Sequence, residues 1–71
     1  MTKSKRIQMD MPPRSVDRLK ALQAKTEASS YAEVVRNALQ LYEALIDEVD
    51  RGSKILLEKD GNITPLIVFG A

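Results

Sequence analysis

Arg6 to Met11 read RIQMDM, polar and apolar residues in strict alternation, until Pro12 and Pro13 end the run. Alternation of this kind sends successive side chains to opposite faces, one dry and one wet, and marks a half-buried strand. A strand also needs a ladder partner for its N–H and C=O groups. No second strand-like run follows nearby, because the next stretch has helical periodicity. The chain has 71 residues, and a single core of that size supplies only a few kcal/mol of net stability. It contains no Cys and no His, which excludes disulfides and the common zinc sites as staples. A partner subunit is what remains. Two antiparallel copies of the strand would form a ribbon with Ile7, Met9 and Met11 of both chains facing inward. Arg6, Gln8 and Asp10 would then face outward twice, related by a two-fold axis.

The rest of the chain is punctuated clearly. Pro12 and Pro13 suit a helix start, where a missing N–H costs nothing. A first helix is expected from about Pro13 to Thr26, with Val16, Leu19 and Leu22 on one side and Arg14, Asp17, Arg18, Lys20 and Lys25 around the rest. Its end is weakly marked, since Glu27 stands where glycine would be easiest. In Ser30-Tyr31-Ala32-Glu33 the serine can accept from the Glu33 N–H while the Glu33 side chain reaches back, the S-x-x-E capping box ahead of an apolar run. That second helix is expected to continue to about Arg51, with Gly52 as its stop. Its stripe of Val34, Val35, Ala38, Leu39, Leu41, Tyr42, Leu45, Ile46 and Val49 is wider than one short helix can cover, which points to a subunit interface. Finally, KILLEKDGNITPLIVF places two β-rich runs around Asp60-Gly61, the dipeptide of type I′ hairpin turns. A two-residue turn sets Lys59 opposite Asn62, Leu57 opposite Thr64 and Ile55 opposite Leu66. Pro65 must then lie on an edge or at a bulge.

Charge is unevenly placed. Residues 1–36 hold eight Lys or Arg against four acidic residues, a net +4, and residues 37–71 hold three against six, a net −3. A basic front suits a polyanion at one end only. A two-stranded ribbon fits the major groove of B-DNA, roughly 12 Å wide. No apolar run approaches the roughly 18 residues of a membrane span, and no apolar leader follows Met1, so a cytoplasmic protein without membrane association is expected.

Strand, helix, capped helix at these spacings resembles the ribbon-helix-helix family of DNA-binding dimers (Arc/MetJ/CopG-type). RIQMDM, PPRSVDRLKAL, ASSYAEVVRNAL and YEALI carry the resemblance, over roughly residues 5 to 50. It implies a mainly α fold with a short N-terminal strand: a homodimer with an intermolecular antiparallel β-ribbon and two helices per chain. A flexible basic arm (1–4), a ribbon-helix-helix domain (5–52) and a C-terminal β-hairpin extension (53–71) are the expected parts. By the resemblance, Arg6, Gln8 and Asp10 contact bases, and Ser29, Ser30 and Tyr31 at the second-helix N-terminus clamp phosphates. Unpaired N–H groups and the positive end of a helix dipole support the second assignment physically. Lys3, Lys5 and Arg14 are further phosphate candidates. Ile7, Met9, Met11, Val35, Leu39, Tyr42 and Leu45 are the expected dimer core.

Arg6 suits guanine O6 and N7, and Gln8 suits adenine N6 and N7. Asp10 can accept from cytosine N4 or pair with Arg6 across the ribbon. Plainer readings stand beside these: a solvated strand face for the three readers, simple capping for Ser29 and Ser30, a solubilising surface for Lys3, Lys5 and Arg14. The expected function is transcriptional regulation, repressing from a palindromic double-stranded DNA operator. An antitoxin autoregulating its operon and covering a toxin is one alternative. A protein-interaction module acting through the hairpin is another, and the hairpin could also join dimers into tetramers. Without His or Cys, and with no nucleophile–base pair, paired carboxylates or cofactor motif, no enzyme activity, cofactor or metal is expected.

Overall fold

In the computed structural model, residues 4–70 are described, so Lys3 lies outside the described residues. The elements are α1 (Pro13–Thr26), α2 (Tyr31–Asp50), β1 (Leu56–Lys59) and β2 (Asn62–Pro65). The chain is mostly helical, with a two-stranded antiparallel hairpin at its C-terminal end. It divides after Val34, inside α2, into two compact units, Met1–Val34 and Val35–Ala71.

In the first unit, Pro12 is extended at ψ 153°, and its carbonyl accepts from Ser15 and Val16 at 2.9 and 3.1 Å. Pro13 occupies the first helical turn, where its missing N–H loses no helical bond. Val16 and Leu19 are half-buried along α1, and Val34 at 6% exposure is the one buried apolar residue among those described. The helix ends on Glu27, which takes the left-handed conformation itself (φ 57°, ψ 29°). The Gln23 carbonyl accepts the Glu27 N–H and, at 3.2 Å, the Ala28 N–H. The Gln23 amide donates to the Ala28 carbonyl at 3.4 Å. A non-glycine residue thus takes the left-handed position that glycine usually fills.

The expected N-terminal strand is corrected here: residues 4–12 carry no regular secondary structure. The physical reason is that, among the described residues, no strand pairs with this segment. The strands that do form, β1 and β2, pair with each other.

In the second unit, α2 ends in a Schellman motif. Gly52 (φ 90°) donates to Val49 at 2.9 Å, and Ser53 donates to the Glu48 carbonyl at 2.9 Å. The Glu48 carboxylate adds bonds from Arg51 Nη1 at 3.1 Å and from the Ser53 hydroxyl at 2.9 Å. The hairpin has the expected register, with Lys59 opposite Asn62 and Leu57 opposite Thr64. Asp60 (φ 51°) and Gly61 (φ 81°) both lie at positive φ, as a type I′ turn requires. Hydrogen-bonded and non-bonded pairs alternate along an antiparallel ladder. The Leu66 N–H donates to the Ile55 carbonyl at 2.9 Å, so Pro65, opposite Leu56, falls at a non-bonded pair where its missing donor leaves the ladder intact.

Candidate nucleic-acid interface

Every candidate DNA-contacting residue that is described belongs to the first unit: Lys5, Arg6, Gln8, Asp10, Arg14, Ser29, Ser30 and Tyr31. That unit carries seven Lys or Arg against four acidic residues, a net +3. Lys5, Arg6, Gln8 and Asp10 are exposed in the extended approach to α1, and Arg14 is exposed in the first turn of α1. Ile7 and Met9, the apolar partners in the alternation, stand 80% and 71% exposed, while Met11, nearest the helix, falls to 39%. The described residues of the single chain therefore give this stretch neither a ladder nor a covered face.

The start of α2 is built more tightly. Ser30 Oγ accepts from the Glu33 N–H at 3.1 Å, and the Ser30 carbonyl accepts from Val34 at 3.3 Å, which opens the helix. The Glu33 carboxylate reaches one residue further back than the capping-box pattern suggests. Its Oε2 accepts from the Ser29 N–H at 2.9 Å and also from the Ser29 hydroxyl. A carboxylate there is favoured by the positive end of the helix dipole. It also means that the Ser29 donors already hold an anionic group. The N–H groups of Ser30, Tyr31 and Ala32 precede any intrahelical acceptor and point out of the helix end. Tyr31 is 44% exposed beside them. The spacing of Ser30 and Glu33 was visible in sequence. The role of Ser29 as the carboxylate's partner was not, because it depends on a rotamer rather than a pattern.

The expected dimer-core residues of α2 do not share one environment. Tyr42 and Leu45, with Ala38 and Leu41, line an open apolar groove of about 350 Å³ whose other wall is Leu66–Phe69. The Tyr42 hydroxyl donates to the Phe69 carbonyl at 2.6 Å. Next to it, a Cβ on Gly70 (φ 87°) would collide with that hydroxyl. Val35 and Leu39 do not line the groove, and Leu39 is 62% exposed. Sequence reasoning missed the part played by Leu66–Phe69. The apolar run after Pro65 was the only signal, and nothing local says where such a run docks. Among the described residues, no helix is long and apolar enough to cross a membrane.

Comparison with known proteins adds no identification: no family model, curated protein or solved structure matches the chain. The reading of this surface rests on its own residues.

Proposed function

We propose that this chain is a homodimeric, sequence-specific double-stranded DNA-binding regulator of ribbon-helix-helix type, repressing by occupying a palindromic operator. One observation carries the reading: Ile7 and Met9 stand exposed and without a ladder, in strict alternation with Arg6, Gln8 and Asp10. Fully burying an aliphatic or Met side chain contributes about 1.5–3 kcal/mol, so the exposed pair is a large unused driving force for association. A second copy of the same segment supplies both missing elements, a ladder and a dry face. The polar face then offers Arg6 to guanine and Gln8 to adenine in the major groove. Asp10 accepts from cytosine N4 or pairs with Arg6 of the other chain.

At the start of α2, the amides of Ser30, Tyr31 and Ala32 are the donors open to a backbone phosphate. Ser29 joins them only by exchanging the Glu33 carboxylate for the phosphate. Phosphate contacts fix the register on the duplex, and the ribbon selects the sequence. The basic first unit, doubled in the dimer, draws the protein to DNA. A hairpin that closes within the single chain supports this reading over the antitoxin alternative, whose tail would take shape on a toxin.

Fluorescence anisotropy of a random-sequence duplex at two salt concentrations tests the proposal. Wild type is expected to bind with a steep loss of affinity as salt rises, because each neutralised phosphate contributes about −0.9 to the log–log slope. Against a selected operator, the Arg6→Ala, Gln8→Ala double variant is expected to lose about 1–3 kcal/mol per bidentate contact while keeping that slope nearly unchanged. No binding at low salt would refute the DNA reading. An equal loss on all sequences would refute the ribbon as reader.

A further inference from the structure

The outer edge of β1 is the least explained surface of the second unit. The Leu66-to-Ile55 bond and the observed register make Ile55, Leu57 and Lys59 face β2, so Leu56 and Glu58 turn their N–H and C=O groups away from it. On the other side of the hairpin, Pro65 sits at an outward position and has no N–H, which interrupts the donor row of β2. The row on β1 has no such break. All of β1 is exposed, and Leu56 is 54% so. A bare edge carrying large apolar side chains is one that sheets pair or protect.

We propose that this edge pairs antiparallel with β1 of a second copy, with the two-fold axis at Leu56, giving a continuous four-stranded sheet. In this register Leu56 lies opposite its counterpart, Ile55 opposite Leu57, and Lys54 opposite Glu58. Each pairing is apolar on apolar or positive on negative, and the two-fold repeats it. The neighbouring registers lack that match. With the axis at Leu57, Leu56 meets Glu58 and Ile55 meets Lys59. With the axis at Glu58, two carboxylates stand directly opposite, a destabilising arrangement. Self-complementary charge order is what selects an identical strand over a foreign one. This association uses the opposite end of the chain from the N-terminal ribbon and does not depend on it. Where both hold, they link ribbon dimers to one another.

The chain has no cysteine, so single Leu56→Cys and Leu57→Cys variants each carry one thiol. Opposed residues of a hydrogen-bonded antiparallel pair have Cα atoms about 5.5 Å apart, within disulfide reach. With the axis at Leu56, the two copies of position 57 lie beyond the roughly 7 Å limit. Mild oxidation of the full chain is expected to cross-link the Leu56→Cys variant at least tenfold faster than the Leu57→Cys variant. Adding Glu58→Lys should slow cross-linking about tenfold, and adding Lys54→Glu to that variant should restore it, since cross-strand charge pairs are interchangeable in sense. Faster cross-linking of Leu57→Cys would overturn the register. Equal rates for both, or indifference to the charge reversal, would overturn the pairing itself. Native mass spectrometry of Glu58→Lys without any added thiol gives an independent reading: it should show one step less of self-association than wild type, and an unchanged distribution would count against the proposal.

Discussion

Two stretches of this chain carry strand signals of similar strength, and they end differently. Ile55–Leu66 folds back on itself across Asp60-Gly61 and makes a ladder within one chain. Arg6–Met11 has the stricter alternation and makes none. Residue preference does not separate them. The hairpin brings its partner along, joined by two residues that both reach positive φ, so closing it costs little chain entropy. The N-terminal stretch runs through Pro12 and Pro13 directly into α1, and its ladder partner must come from another molecule. The contrast teaches that alternation specifies which face is dry, and only connectivity specifies who dries it.

The largest expected effect that bears on this contrast is at Met9. If Met9 kept the exposure it has in the single chain, a lysine there would change stability by no more than about 0.5 kcal/mol, as surface substitutions do. Under the ribbon, Met9→Lys is expected to cost at least about 3 kcal/mol per chain and to abolish dimerisation. Urea unfolding together with sedimentation decides between them, and a neutral result would mean that the segment never acquires a dry face.

Next in size is Gly61→Val. Nothing lies within 4 Å of a Cβ built at Gly61, so the penalty comes from the backbone alone. Holding a β-branched residue in the left-handed region costs about 1–2 kcal/mol. Cross-strand nuclear Overhauser contacts between Leu57 and Thr64 are expected to weaken, with DNA affinity unchanged. Weakened DNA binding would show that the two stretches are not energetically separate.

The smallest effect is a gain. Glu27 and Asp60 are the two non-glycine residues at positive φ among those described. Aspartate tolerates that region through its short polar side chain, and glutamate has no such relief. Relief of the left-handed penalty, less the greater chain entropy of glycine, leaves Glu27→Gly about 0.5 kcal/mol more stable in urea titration. A loss instead would mean that the Glu27 side chain contributes to the turn.

Most local structure could be read in the sequence. Pro13 and Thr26 bound α1 as expected, Gly52 closes α2, and the hairpin register follows from Asp60-Gly61. Each of these is fixed by a few adjacent residues. Features that depend on distant or external partners were less accessible. The apolar stripe of α2 was divided between cover by α1 and a subunit interface, yet Leu66–Phe69 form the second wall of a groove over part of it and Tyr42 bonds to Phe69. The candidate interface divides the same way. Its serines and Glu33 were evident as a cap, while their detailed bonding depends on side-chain geometry. The readers Arg6, Gln8 and Asp10 sit on a segment whose shape one chain does not determine.

Pro65 has a consequence for how far assembly can go. A sheet whose two outer rows are both intact has no internal reason to stop adding strands, and soluble proteins that expose such rows risk fibres. Here one row is intact and the other is broken at Pro65, the last residue of β2, so joining two copies places a defective row on both outer sides. The proline acts as a terminator of the sheet, holding it to four strands. Replacing it with a β-branched residue, Pro65→Val, would restore the missing donor and remove that limit.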